Sequence, residues 1–224
     1  MKTTFKFLLC LILTGFFAIG CAVKIPLSTT YFQNNKKVGV IYNIDSISVY
    51  KQGAQGLLDM ALTSGKRFRE PLNIVDKTIN PTEKIKNQYR NTFSQHNKSL
   101  IEIDYDYDVK KMTKFTKPSD SKKYHKYDLR ALRSNGIDEV LIINVRYGLL
   151  VSYYGMIETG KAGDCRIESE IIDLTDNSII YKNFSVYSER IKGKWKTPPD
   201  YENLKNSIEL AINNTLEQEK AKFK

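Results

Sequence analysis

Apolar and polar positions alternate with two different periods along the chain, and the changes of period mark out its elements. Val38, Val40 and Tyr42 in residues 36–42 predict a first strand. Residues 53–65 read as a helix entered through Gly53 and Gly56 and closed near Gly65. Residues 80–96 predict a second helix, because Asn80 can cap it, Pro81 suits its first turn, and Ile85, Tyr89 and Phe93 recur every four residues. Over 100–109 the period becomes two, with Ile101, Ile103, Tyr105, Tyr107 and Val109 set against Glu102, Asp104, Asp106 and Asp108. That pattern predicts a half-buried strand with an acidic outer face.

Residues 111–123 form a lysine-rich loop, and 125–136 read as a short helix stopped by Gly136. Residues 138–154 begin as a continuous apolar run, which predicts a central strand. Strands 165–174 and 178–188 follow, joined by Thr175-Asp176-Asn177 as a hairpin. Within the first of these, Cys165, Ile167, Ser169 and Ile171 share one face, and Asp164, Arg166, Glu168 and Glu170 the other. Residues 198–218 close the series as a helix with Leu204, Ile208, Ile212 and Leu216 on one stripe. The fold class is therefore α/β (α+β): a mixed sheet of about five strands with helices packed on it, in the order β-α-α-β-α-β-β-β-α.

The N-terminus follows neither period. Lys2 and Lys6 precede a 13-residue apolar stretch, Phe7 to Ile19, and small residues lead to Cys21. A bilayer span needs about 20 residues, whereas about 10–14 suits the core of a secretory signal. Ala18-Ile19-Gly20-Cys21 resembles the lipobox of bacterial lipoproteins, in which a peptidase cuts before the cysteine, here between Gly20 and Cys21, and acyl chains such as palmitate are attached to it. An ordinary secretory signal with an incidental Cys21 is the competing reading. The resemblance implies a leader over 1–20, a lipidated tether over 21–36 and one domain over 37–220. It also implies three acyl chains on Cys21, which at about 0.8 kcal/mol per buried methylene hold a protein durably. Ala22 stands where an inner-membrane lipoprotein often carries aspartate, which implies the outer membrane and a body facing the periplasm.

Charge and cysteine content fit this setting. Loss of Lys2 and Lys6 with the leader lowers the formal charge from +10 to about +8. A basic body suits anionic lipid headgroups or phosphorylated glycans, or simply lysines spread over solvated faces; nucleic acid is not an expected partner of an exported, tethered protein. With Cys10 in the leader and Cys21 acylated, Cys165 has no partner for an intramolecular disulfide and reads as a small core residue.

The element order, with the hairpin around Asp173–Tyr181 and the segment 136–145 leading a central strand, resembles a family of small bacterial lipoprotein domains. That family includes the curli secretion channel lipoprotein and the N-terminal domain of the Tol-Pal propeller protein. The resemblance implies an envelope accessory role. The channel's two long membrane-spanning hairpins are not evident here: strand 138–154 could lengthen toward one, but Arg146 and the early polar turn argue against a pore.

No catalytic set can be written. Gly155–Ala162 nearly spells a phosphate-binding loop, but Ala162 replaces the magnesium-binding hydroxyl and an alternating strand follows, so it reads as a hairpin turn. If Asp104, Asp106 and Asp108 opened a calcium loop of the EF-hand type, Val109 and Phe115 would stand where Gly and Glu are required. A looser cation site there competes with an acidic edge that deters aggregation. His96 and His125 have no metal-ligand spacing, so neither a metal nor a cofactor is expected. The most suggestive surface element is 189–199, where Arg190, Lys192, Lys194 and Lys196 surround Trp195, the single tryptophan. It suits an anionic lipid or glycan, against the competing reading of a solvated loop whose indole packs on the domain.

The sequence thus predicts a non-enzymatic, outer-membrane-anchored accessory or assembly subunit in envelope biogenesis or secretion. Its expected partners are the membrane through Cys21 and either further copies of itself or another envelope protein. A binding module for anionic lipid or glycan is the alternative, and a hydrolase comes last.

Overall fold

The computed structural model describes residues 23–62, 66–105, 107–108 and 110–224. The leader and Cys21 lie outside the described residues. Six strands form one mixed sheet: β1 Val38–Ile44, β2 Ser48–Ala54, β3 Leu100–Glu102, β4 Glu139–Tyr154, β5 Ile157–Asp173 and β6 Ile179–Arg190. Their order is β3-β1-β4-β5-β6, with β2 also on β4. β1 and β2 run parallel to β4, one after the other, and β4, β5 and β6 form an antiparallel meander.

Val38 faces Glu139 while Ser48 faces Gly148, so the offset drops by one residue between them. β1 and β2 are therefore one long strand broken by a bulge at residues 45–47, laid along most of β4. The β4–β5 hairpin turns at Gly155-Met156 and defines one end of the molecule, the tip. The opposite, closed end holds the starts of β1 and β4.

Among the described residues four helices, α1 Leu57–Leu62, α2 Lys66–Thr78, α3 Pro81–Ser94 and α4 Glu202–Lys220, accompany the sheet. α2, α3 and α4 bury Phe68, Leu72, Ile85, Tyr89, Leu204 and Ile208 in one core with the inward face of β4 and β5. The chain brings α4 against β5 at Gly163, where a Cβ would stand 2.3 Å from the Ser207 backbone. Only glycine permits that approach, and the Gly163 amide donates to Ser207 Oγ at 2.7 Å.

Further along, the Glu219 carboxylate is buried and accepts from Tyr89 Oη (2.9 Å) and from Ser169 Oγ, Asn183 Nδ2 and Ser185 Oγ (2.6 Å each). Burial and this carboxylate push the Tyr89 phenol well above its ordinary range, so it stays a donor. α3, β5, β6 and α4 are joined at that one point. At the closed end Lys36 Nζ contacts Glu139 (3.1 Å) and Asp173 (2.5 Å), while Tyr31 Oη donates to Glu139 at 2.8 Å.

Among the described residues, the outward face is covered only near the closed end. There Ile41, Val140, Ile142 and Ile172 meet Leu129, Leu132 and Ile137 from the segment after β3.

Several expectations need correction. The helix expected over 53–65 is a strand through Ala54 followed by six-residue α1, and Gly53 belongs to β2. α2 and β2 were not expected at all. The strand expected over 100–109 pairs only through Glu102; beyond it the chain crosses onto the outward face, and Tyr105 and Tyr107 pack there. Asp106 and Val109 lie outside the described residues.

The helix expected over 125–136 is a single 3-10 segment, Arg130–Asn135, ended by Gly136 in the left-handed region. The hairpin turn read from Gly155–Ala162 is confined to Gly155-Met156, because Ile157 onward pairs with β4. Asp164, on the strand face opposite Cys165, is fully buried, accepting from Arg166 Nε (2.8 Å) and Ser188 Oγ (2.6 Å). Residues expected as tether are docked from Ile25 onward: Ile25 pairs with Lys182 at the β6 edge and Tyr31 is buried.

Candidate functional site

The tip is built from β2, α1, the β4–β5 turn and the start of α2. The Gly155 amide donates to the Ala54 carbonyl (2.7 Å), and Gln55 Nε2 donates to the Gly155 carbonyl (3.4 Å). The Asp59 carboxylate reaches back to the Gly56 amide at 3.0 Å, which satisfies one free donor at the start of α1. These bonds hold α1 beside the turn.

Six large apolar side chains meet solvent here: Leu57 (89 % exposed), Leu58 (71 %), Met60 (52 %), Tyr154 (74 %), Met156 (59 %) and Ile157 (68 %). Scattered exposed apolar residues need no explanation, whereas these six gather at one end of the sheet.

Cations surround this group. Arg67 pairs with Glu158 and reaches Tyr153 Oη (3.4 Å), which fixes the start of α2 at the tip. Lys161 contacts the same carboxylate, so Glu158 is engaged by two cations. Lys51 Nζ lies 5.9 Å from the centre of the Tyr153 ring, and Lys66 and Arg69 are exposed.

The predicted basic loop adjoins this end. The Ile191 amide donates to the Lys161 carbonyl at 3.1 Å, carrying the chain from β6 alongside β5. Trp195 is half-buried, with Phe68 5.3 Å away and Lys161 Nζ 4.8 Å above its ring. Burial lowers the Lys161 ammonium to about 8, the Arg67 charge adding to that, while the adjoining Glu158 works the other way. Asn203 Nδ2 donates to the Lys194 carbonyl (2.9 Å) and pins the loop to α4. Arg190, Lys192, Lys194 and Lys196 are exposed around it. One indole face is thus occupied by Lys161, and the four cations remain on the surface.

Cys165, His125 and His96 are engaged internally, whereas Asp104 is exposed and Asp106 lies outside the described residues. Burial pushes the Cys165 thiol up to about 12. His125 Nε2 shares a hydrogen bond with Tyr107 Oη (3.0 Å), and His96 stacks on Phe32 at 3.9 Å. Among the described residues no group of three His, Cys, Asp or Glu is placed to hold a metal. No described helix is long and apolar enough to cross a membrane.

On the uncovered outward face, Asn43, Asn144, Arg146, Arg166, Glu168 and Phe184 line an open groove of about 350 Å³. It is shallow and of mixed charge.

The apolar tip residues escaped sequence reasoning. The available signal was Leu57, Leu58, Met60 and Leu62 in one six-residue helix, apolar on too many sides to be one face of a core helix.

No family model matches the chain, and no curated protein does. Three solved structures overlap loosely with it. A neuraminyllactose-binding hemagglutinin homolog from Helicobacter pylori is 10 % identical over 85 % of this chain and 84 % of that one, with a TM-score of 0.39. A PelC dodecamer from Paraburkholderia phytofirmans is 11 % identical over 87 % and 92 %, at 0.31. Lipoprotein GNA1162 from Neisseria meningitidis is 14 % identical over 82 % and 99 %, at 0.26. Overlaps this loose say nothing about what this chain does.

Proposed function

We propose that this chain is an outer-membrane-anchored lipoprotein that acts without chemistry of its own, as an accessory or assembly subunit in envelope biogenesis or secretion. The observation behind this reading is the tip, where exposed apolar side chains and cations gather, while buried polar groups such as Glu219 hold the fold together. Cys21 carries the acyl chains, the body faces the periplasm, and the tip is the working contact surface. Crosslinking in intact cells tests this, with mass spectrometry of the captured species and of the bait's N-terminal peptide. An acylated Cys21 together with tip crosslinks is the expected result. An unmodified N-terminus or a tip without crosslinks overturns it.

A second reading, a binding module for anionic lipid or glycan centred on the 189–199 loop, draws on Arg190, Lys192, Lys194 and Lys196 standing exposed around Trp195. Replacing these cations by glutamine should then abolish binding while the tip is intact.

A further inference from the structure

We propose that the apolar tip seats in the headgroup layer of an anionic lipid bilayer, with Leu57, Leu58, Tyr154, Met156 and Ile157 entering it and the surrounding cations meeting lipid phosphates. This rests on the tip being a contact surface and names its occupant. Two observations select lipid over protein.

The first is shape. The apolar residues lie on a two-residue turn, the strand ends that it joins and the six-residue helix beside it, and they stand largely exposed. A fluid surface accepts such a set of side chains without complementary relief. The second is chemistry. Aliphatic groups with a tyrosine at their edge, with Lys51 beside Tyr153 and with Lys66, Arg67 and Arg69 exposed at the start of α2, suit a membrane interface from acyl chain to phosphate. Glu158, Asp59 and Glu70 stand against these cations and Lys161, so a positive excess remains.

The test uses the full chain, extracted from membranes and reconstituted into vesicles. A Met156→Cys variant is labelled with a polarity-sensitive dye, Cys165 being buried, and the equally treated parent chain gives any background from Cys21. On vesicles of phosphatidylcholine and phosphatidylglycerol, the dye emission should shift to the blue and be quenched by lipid-borne spin labels. Adding Leu57→Asp and Leu58→Asp should remove both effects, with unchanged circular dichroism showing that the chain is folded.

A dye that stays aqueous on these vesicles overturns the proposal. So does an equal response on phosphatidylcholine alone, or a concentration-dependent shift without vesicles, which would make a second copy the occupant. Because the readout sits at position 156, it holds whether or not Cys21 is acylated. An aqueous dye together with tip crosslinks to an envelope protein in cells would leave the contact surface standing and reject lipid alone.

Discussion

The two ends of the sheet are built on opposite principles. At the closed end both faces are covered, and even the charged groups are drawn inward: Glu139 is buried beneath Lys36 and Tyr31, and Ile41 and Ile142 are sealed by Leu129 and Ile137. At the tip the same strands continue with helices on one face only, and large apolar side chains stand in water. Burying a leucine or methionine contributes about 1.5–3 kcal/mol, so leaving Leu57, Leu58 and Met156 exposed forgoes stability that the closed end collects.

Substitutions can separate the two ends. The largest loss should come from Glu219→Ala, which leaves the donors of Tyr89, Ser169, Asn183 and Ser185 buried without their acceptor. A drop of about 3–5 kcal/mol in the stability read from urea titration is expected, and a change under about 1 kcal/mol would show that this junction does not hold α4 in place.

Acid should act next, and at the closed end. Burial would raise the Asp176 carboxyl, but hydrogen bonds from Lys122 and Ser178 outweigh it and hold the group down to about 2. Its folded value lies below the unfolded one, so the folded state binds fewer protons between them. The stabilisation is complete above about pH 4 and disappears as the pH falls toward 2. Asp176 is partly solvated, so this amounts to no more than about 1 kcal/mol, and Asp176→Asn should flatten the acid limb of a urea-midpoint profile.

The smallest effect on stability belongs to the tip. Leu57→Asp and Leu58→Asp should each shift the unfolding free energy by less than about 0.5 kcal/mol, although they abolish the lipid response. A loss comparable to that of Glu219→Ala would mean that the tip is core after all.

How far the sequence could be read depended on whether its pattern reported packing or pairing. The stripe Leu204, Ile208, Ile212 and Leu216 is legible because a helix against a sheet must bury one side every turn, and all four are buried. The run from 138 is legible because a strand between two neighbours is apolar throughout. The alternation over 100–109 is just as clean but was misassigned. Ile103, Tyr105 and Tyr107 alternate because one side of an extended segment lies on the outward sheet face, and packing of that kind leaves the same trace as edge pairing.

β2 was hidden for another reason. Its residues Lys51, Gln52, Gly53 and Ala54 are exposed, so no hydrophobic period records a strand held by backbone bonds to β4. α2 was obscured by Pro71 within it. At the candidate site the cations of 189–199 were legible from composition. The apolar tip was not, because an apolar residue's exposure depends on what covers it, and that is decided by the whole fold.

The broken strand also sets an order of events. Asn43 and Asn144 are joined across β1 and β4 by a side-chain hydrogen bond of 2.8 Å spanning 101 residues of chain. The β4–β5–β6 meander needs only neighbouring segments and can assemble promptly, whereas closing so long a loop is slow. On loop length alone the N-terminal strands are expected to be seated last. Until they arrive, the β4 edge is an unpaired row of backbone donors and acceptors beside apolar side chains, open to any other extended chain.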